Sequence, residues 1–69
     1  MELLIIKIGE DYIRVRDGVY VRCGIDRASV FPREKLDMVK GHVETLKAGG
    51  AGSPAIYRLV MREEPLVLR

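Results

Sequence analysis

The stretch that decides the fold is Tyr12-Ile13-Arg14-Val15-Arg16-Asp17-Gly18-Val19-Tyr20-Val21-Arg22-Cys23. Apolar and polar residues alternate on either side of Asp17-Gly18, which marks two β-strands joined by a tight turn. The register of this hairpin determines which side chains share a face. A two-residue loop at Asp17-Gly18 sets Arg16 opposite Val19 and Arg14 opposite Val21, mixing charged and apolar residues on each face. A three-residue loop, Arg16-Asp17-Gly18, pairs Val15 with Val19 and Ile13 with Val21, so that the apolar sets coincide. Because a one-residue slip transfers every side chain to the other face, apolar matching favours the three-residue loop, with Gly18 supplying its left-handed end. One face is then expected to carry Ile13, Val15, Val19, Val21 and Cys23. The other carries Tyr12, Arg14, Tyr20 and Arg22, with Arg16 at its rim.

Upstream, Leu3-Leu4-Ile5-Ile6-Lys7-Ile8 is apolar without alternation, as expected of a strand buried on both faces and central in its sheet. Gly9-Glu10-Asp11 is a turn cluster. Apolar matching across it pairs Ile8 with Ile13 and Ile6 with Val15. Leu4, Ile6 and Ile8 then join the core face, while Leu3, Ile5 and Lys7 lie with the tyrosines and arginines.

Downstream, a polar stretch leads to Phe31-Pro32, and Pro32 suits a first helical position. Leu36, Val39, Val43 and Leu46 follow at spacings of 3, 4 and 3, one stripe of a helix that Gly49 is placed to end. Gly41 lies inside that helix, where close approach to the sheet would explain it. Residues 49–54, Gly-Gly-Ala-Gly-Ser-Pro, form a flexible connection. Ala55 to Arg62 is rich in strand formers. Ser53-Pro54 would also open a helix there, but the strand is the preferred reading. Glu63-Glu64-Pro65 breaks it, and Leu66-Val67-Leu68 is expected as a short edge strand or a partner-binding tail. The fold class is α+β, one domain over residues 1–69: a small antiparallel sheet with one helix packed on one face, in the order β-β-β-α-β with an optional final strand.

The chain has 69 residues, 12 Lys and Arg against 10 Asp and Glu, and a net charge of +2. A hydrophobic share of 48% argues against disorder. No apolar run approaches the roughly 18 residues that cross a bilayer, so membrane partners are not expected. No secretion signal precedes the first strand, and the single cysteine, Cys23, allows no internal disulfide. A cytoplasmic protein is expected. A single core of this size rarely supplies more than about 3–5 kcal/mol, and small domains often add metals, disulfides or self-association. Self-association is the stabiliser this composition favours.

Catalytic and cofactor chemistry finds little support. One His and one Cys, His42 and Cys23, make no metal motif, and neither has a chemical partner at a characteristic spacing. Asp11, Asp17, Asp26 and Asp37 occupy turn and helix-start positions, and Glu63-Glu64 a solvated turn. The glycines at 49–52 follow a helix and precede Ser53-Pro54, whereas a phosphate loop opens a helix and ends on Lys. No enzyme, metal or small-molecule cofactor is expected.

What remains is a sheet face with Leu3, Ile5, Tyr12, Arg14, Tyr20 and Arg22: an apolar patch rimmed by aromatic and basic groups, as at interaction sites. The leading expectation is a non-catalytic interaction module that binds a protein partner, or itself as a homo-oligomer, through this face. The alternative is nucleic acid, with bases stacked on the tyrosines and phosphates on the arginines. A charge of only +2 weighs against it.

Overall fold

The computed structural model describes residues 2–67. Its elements are β1 (Glu2–Ile8), β2 (Asp11–Arg16), β3 (Val19–Cys23), β4 (Val30–Pro32), α1 (Leu36–Ala48) and β5 (Ala55–Val60), with 3-10 turns at Ile25–Arg27 and Arg33–Lys35. The result is a five-stranded antiparallel sheet with one helix, an α+β fold in the expected order plus the short strand β4. No strand forms at Leu66-Val67, and Leu68 lies outside the described residues.

β1 is the axis of the sheet. One of its edges pairs with β5 from Glu2↔Val60 to Lys7↔Ala55. The other edge is shared: β4 takes the first half (Leu3↔Pro32, Leu4↔Phe31, Ile5↔Val30) and β2 the end (Lys7↔Tyr12, Ile8↔Asp11). Two-sided pairing accounts for the unbroken apolar character of β1, in which Leu4, Ile5, Ile6 and Ile8 are all buried.

Because β4 wedges in, β2 must part from β1 beyond Tyr12. The two-residue hairpin to β3 turns the N–H and C=O of Ile13 and Val15 away from β3, so those groups need other partners. Ser29 supplies three of the four. Its N–H donates to the Ile13 carbonyl at 3.1 Å. Its Oγ accepts from the Val15 N–H at 2.8 Å and donates to the Val15 carbonyl at 3.3 Å.

Both turns of the meander have two residues, which corrects the expected registers. Gly9-Glu10 joins Ile8 to Asp11, where Ile8 was expected opposite Ile13; Gly9 takes φ 60° at the first turn position. Asp17-Gly18 joins Arg16 to Val19, followed by Val15↔Tyr20, Arg14↔Val21, Ile13↔Arg22 and Tyr12↔Cys23. Asp17 at φ 51° and Gly18 at φ 75° are both left-handed, the signature of a type I′ turn. The backbone twist of that turn matches the twist of the strands, and here it prevails over apolar matching.

The helix begins later than expected. Pro32 is the extended last residue of β4 (φ −67°, ψ 156°), and the 3-10 turn at Arg33–Lys35 intervenes before Leu36. The predicted stripe holds, with Val39, Val43 and Leu46 buried and Leu36 partly so. At the other end the Gly50 N–H donates to the Lys47 carbonyl and the Ala51 N–H to the Leu46 carbonyl, with Gly50 at φ 75°. This is a Schellman motif, and Ala51 and Leu46 both pack in the core beside it. Gly49 therefore sits at the helix cap, and Gly50 is the left-handed residue.

The core lies between α1 and one sheet face: Leu4, Ile6, Ile8, Ile13, Val39, Val43 and Leu46, with Val15, Tyr20, Phe31 and Ile56 at its border. Gly41 plays no packing role. A Cβ there would meet no atom within 4 Å, and the position is exposed. Gly41→Ala should raise stability by about 1 kcal/mol, read as a higher urea midpoint at unchanged slope; a fall would mean that the helix does approach a neighbour there. Ser29→Ala should cost about 1–3 kcal/mol in the same assay, because it strips both polar groups of Val15 of their partner.

Candidate interaction surface

Residues directly opposite in an antiparallel pair share a face. Following the registers outward from β1 divides the sheet into a helix side and an outer side. Helix-side positions are Leu4, Ile6 and Ile8 on β1, with Ile13, Val15, Tyr20, Arg22, Phe31, Ile56 and Arg58 on the others. Outer positions are Leu3, Ile5 and Lys7 on β1, Tyr12, Arg14 and Arg16 on β2, and Val19, Val21 and Cys23 on β3. β4 adds Val30 and Pro32, and β5 adds Ala55, Tyr57 and Leu59.

Of the six residues singled out by sequence, Leu3, Ile5, Tyr12 and Arg14 do share the outer face. Tyr20 and Arg22 do not. The I′ register turns them toward the helix and turns Val19, Val21 and Cys23 away from it, the reverse of the expected arrangement. In this register Arg14 stands opposite Val21 and Tyr12 opposite Cys23, so neither arginine faces a tyrosine across the hairpin on the outer side.

Tyr20 instead becomes part of the helix–sheet joint. Its hydroxyl and His42 Nδ1 share a hydrogen bond of 2.8 Å. The two rings meet edge-on at 5.5 Å, and Phe31 lies 5.8 Å from the imidazole on β4. His42 on α1 is half-buried and occupied as a clamp on two strands. Arg22 ties the hairpin to the loop after the helix, donating to Asp11 Oδ2 and to the Ala51 carbonyl, both at 3.3 Å. Cys23 is half-buried on the outer side, across the sheet from His42.

The outer face has two distinguishing features. The first is uncovered apolar surface. Val19 is 57% and Val21 49% exposed, and Val30 and Tyr57 are exposed to a similar degree. Ile5, by contrast, is 2% exposed although it lies outside the helix-side core cluster. Its central strand position seals it, so it supports the face without offering contact area. The second feature is charge of one sign. The strand positions of this face hold Lys7, Arg14 and Arg16 and no Asp or Glu. The nearest acid is Asp17 in the turn, 3.9 Å from Arg16, with both side chains largely in solvent. Exposed pairs of this kind contribute little. Lys7 stands between two rings, its Nζ 5.3 Å from the Tyr12 centroid and 5.4 Å from that of Tyr57.

Sequence reasoning missed Tyr57 and Val30. Tyr57 belongs to a segment whose strand and helix patterns compete, and β4 is too short for periodicity to register. The signal that would have corrected the hairpin was Asp-Gly itself, the preferred pair for a two-residue I′ turn.

Among the described residues no group of three or more His, Cys, Asp or Glu side chains converges, and no helix is long and apolar enough to cross a membrane. No protein-family model matches the chain, and neither a curated protein nor a solved structure matches it.

Tyr20→Phe should cost about 1 kcal/mol by removing the hydroxyl that meets His42, whereas Tyr12→Phe on the outer face should leave the urea midpoint within about 0.5 kcal/mol of wild type. Equal effects of the two substitutions would contradict the assignment of the tyrosines to opposite faces.

Proposed function

We propose that this chain is a non-catalytic interaction module whose outer sheet face, around Leu3, Tyr12, Arg14, Val21 and Tyr57, binds a protein partner or a second copy of itself. One observation carries the reading: the helix covers one side of the sheet, while the other presents half-exposed valines and a tyrosine among cations with no strand carboxylate beside them. Scattered apolar residues on a surface need no explanation, but a contiguous apolar patch on a sheet face favours association. The charge further specifies the partner. Two such faces stacked flat would bring Lys7, Arg14 and Arg16 near their own copies, so the complementary surface is acidic as well as apolar. Tyr20 and Arg22 drop out of the binding set, since both are engaged on the helix side.

The non-catalytic part rests on the separation of His42 from Cys23 by the sheet and on the engagement of His42 with Tyr20. A cytoplasmic setting belongs to the same proposal, on the ground that the single cysteine, Cys23, allows no internal disulfide.

A second reading, single-stranded nucleic acid, is favoured by the Lys7 ammonium flanked by Tyr12 and Tyr57, since rings and cations on a strand surface suit bases and phosphates. The apolar area on β3 and β4 has no role in it, which places it second.

Amide-shift titration separates the two. A short peptide alternating Glu and Leu should shift Arg14, Val21 and Tyr57 and leave the helix unmoved. An oligo-dT strand should shift the same residues only at low salt, if at all. Strong oligo-dT binding that Tyr57→Ala abolishes would transfer the assignment to nucleic acid. Silence of the outer face toward both probes would remove it as a binding surface.

A further inference from the structure

We propose that the occupant of the outer face is the C-terminal segment of a second copy of this chain, Glu63 to Val67, in a reciprocal exchange of tails. This rests on the outer face being a binding surface and names what fills it.

The segment follows β5, forms no helix or strand, and is exposed at every residue from 61 to 67. Leu66 at 83% and Val67 at 78% are more exposed than any other large apolar residue described. Its chemistry is ordered, with two adjacent carboxylates, a proline, then apolar residues. Pro65 holds its own φ and biases Glu64 toward extended backbone, so the segment is partly set in the shape that lies along a sheet.

The outer face offers the complement in the same compactness. Arg14 is paired with Val21 and Arg16 with Val19, so two cations and two half-exposed valines occupy four neighbouring positions. Carboxylates on the guanidinium groups and apolar side chains on the valines satisfy both features that set this face apart. β3 is also an edge of the sheet, paired only with β2 among the described residues.

Geometry favours exchange over folding back. The tail leaves β5 at the edge opposite β3, level with the start of β1, where Glu2 pairs with Val60. Arg14 and Val21 of the same chain lie across the sheet from that exit. The molecule measures 52 × 23 × 21 Å, with a radius of gyration of 13.9 Å, against about 11 Å for a compact chain of this length. An elongated body with an exposed tail segment suits mutual exchange under two-fold symmetry.

Sedimentation of the full-length chain across the micromolar range tests this with a charge swap. Wild type should dimerise, less at high salt. Arg14→Glu/Arg16→Glu alone, with an acidic face and an acidic tail, should be monomeric. Glu63→Lys/Glu64→Lys alone, with a basic face and a basic tail, should be monomeric too. Mixed, each variant's face meets the other's tail, and the dimer should return. Leu66→Ser/Val67→Ser should also abolish the dimer, and these exposed positions cannot disturb folding, which far-UV circular dichroism verifies. A wild-type monomer throughout the range overturns the proposal. So does an undiminished dimer of Glu63→Lys/Glu64→Lys; if Arg14→Glu/Arg16→Glu is then monomeric, the outer face remains the binding surface and only its occupant was misassigned.

Discussion

β1 has two backbone edges and three strands to satisfy with them, and the rest of the structure follows from how that is done. β5 takes one edge along its whole length, while β4 and β2 divide the other. The division forces β2 away from the central strand after Tyr12. Ser29 stands in for the lost ladder, meeting both polar groups of Val15 with one hydroxyl. A serine in an otherwise unremarkable polar connection thereby holds the hairpin on the sheet. The divergence also lets the aromatic side chains of β3 and β4 approach the same helix residue, His42, from two directions.

The faces of that hairpin are settled at two residues. Asp17 and Gly18 both adopt left-handed backbone, and the I′ turn they form fixes Arg16 opposite Val19. Everything on β3 follows by parity. Tyr20 points to the helix and finds an imidazole. Arg22 points the same way and finds a carboxylate and a carbonyl at the border of the core. The valines and the cysteine face outward. Burial of valines on an edge strand would have contributed hydrophobic stabilisation only had the helix reached far enough across the sheet to cover them. α1, at 13 residues, covers the centre of the sheet, around Ile6, Ile13 and Val39.

One helix closes one side of the sheet, and among the described residues no second layer covers the other. The charges are sorted accordingly. Acids lie in the turns, on the helix side and in the tail: Asp17, Asp11 with Arg22, Glu2 between Arg33 and Arg58, and Glu63-Glu64. The outer strand positions keep only the basic groups. A face at once apolar and positively charged is a poor partner for itself laid flat, and a good one for an extended segment that carries carboxylates beside leucine and valine. Such a segment occurs in the chain's own sequence.

Much of the fold was legible in the order of residues. The central position of β1 followed from its unbroken apolar run, the helix from the 3-4-3 spacing of Leu36, Val39, Val43 and Leu46, and its end from Gly49. These are local signals, and each residue in them is placed by its nearest neighbours in the chain. Four of the six proposed surface residues also fell on the expected face, because β1 and β2 are anchored to the core by Ile6, Ile8 and Ile13. The faces of β3 were not legible by apolar matching, and β4 was not legible at all. An edge strand buries little, so hydrophobic pairing has little hold on its register, and the twist of a two-residue turn decides it. A three-residue strand has no period to detect and exists because β1 left half an edge unpaired. Local pattern thus determined the helix and the longer strands. Which side of the sheet became surface was decided only in the assembled structure, where turn geometry and the reach of a single helix set what could be covered.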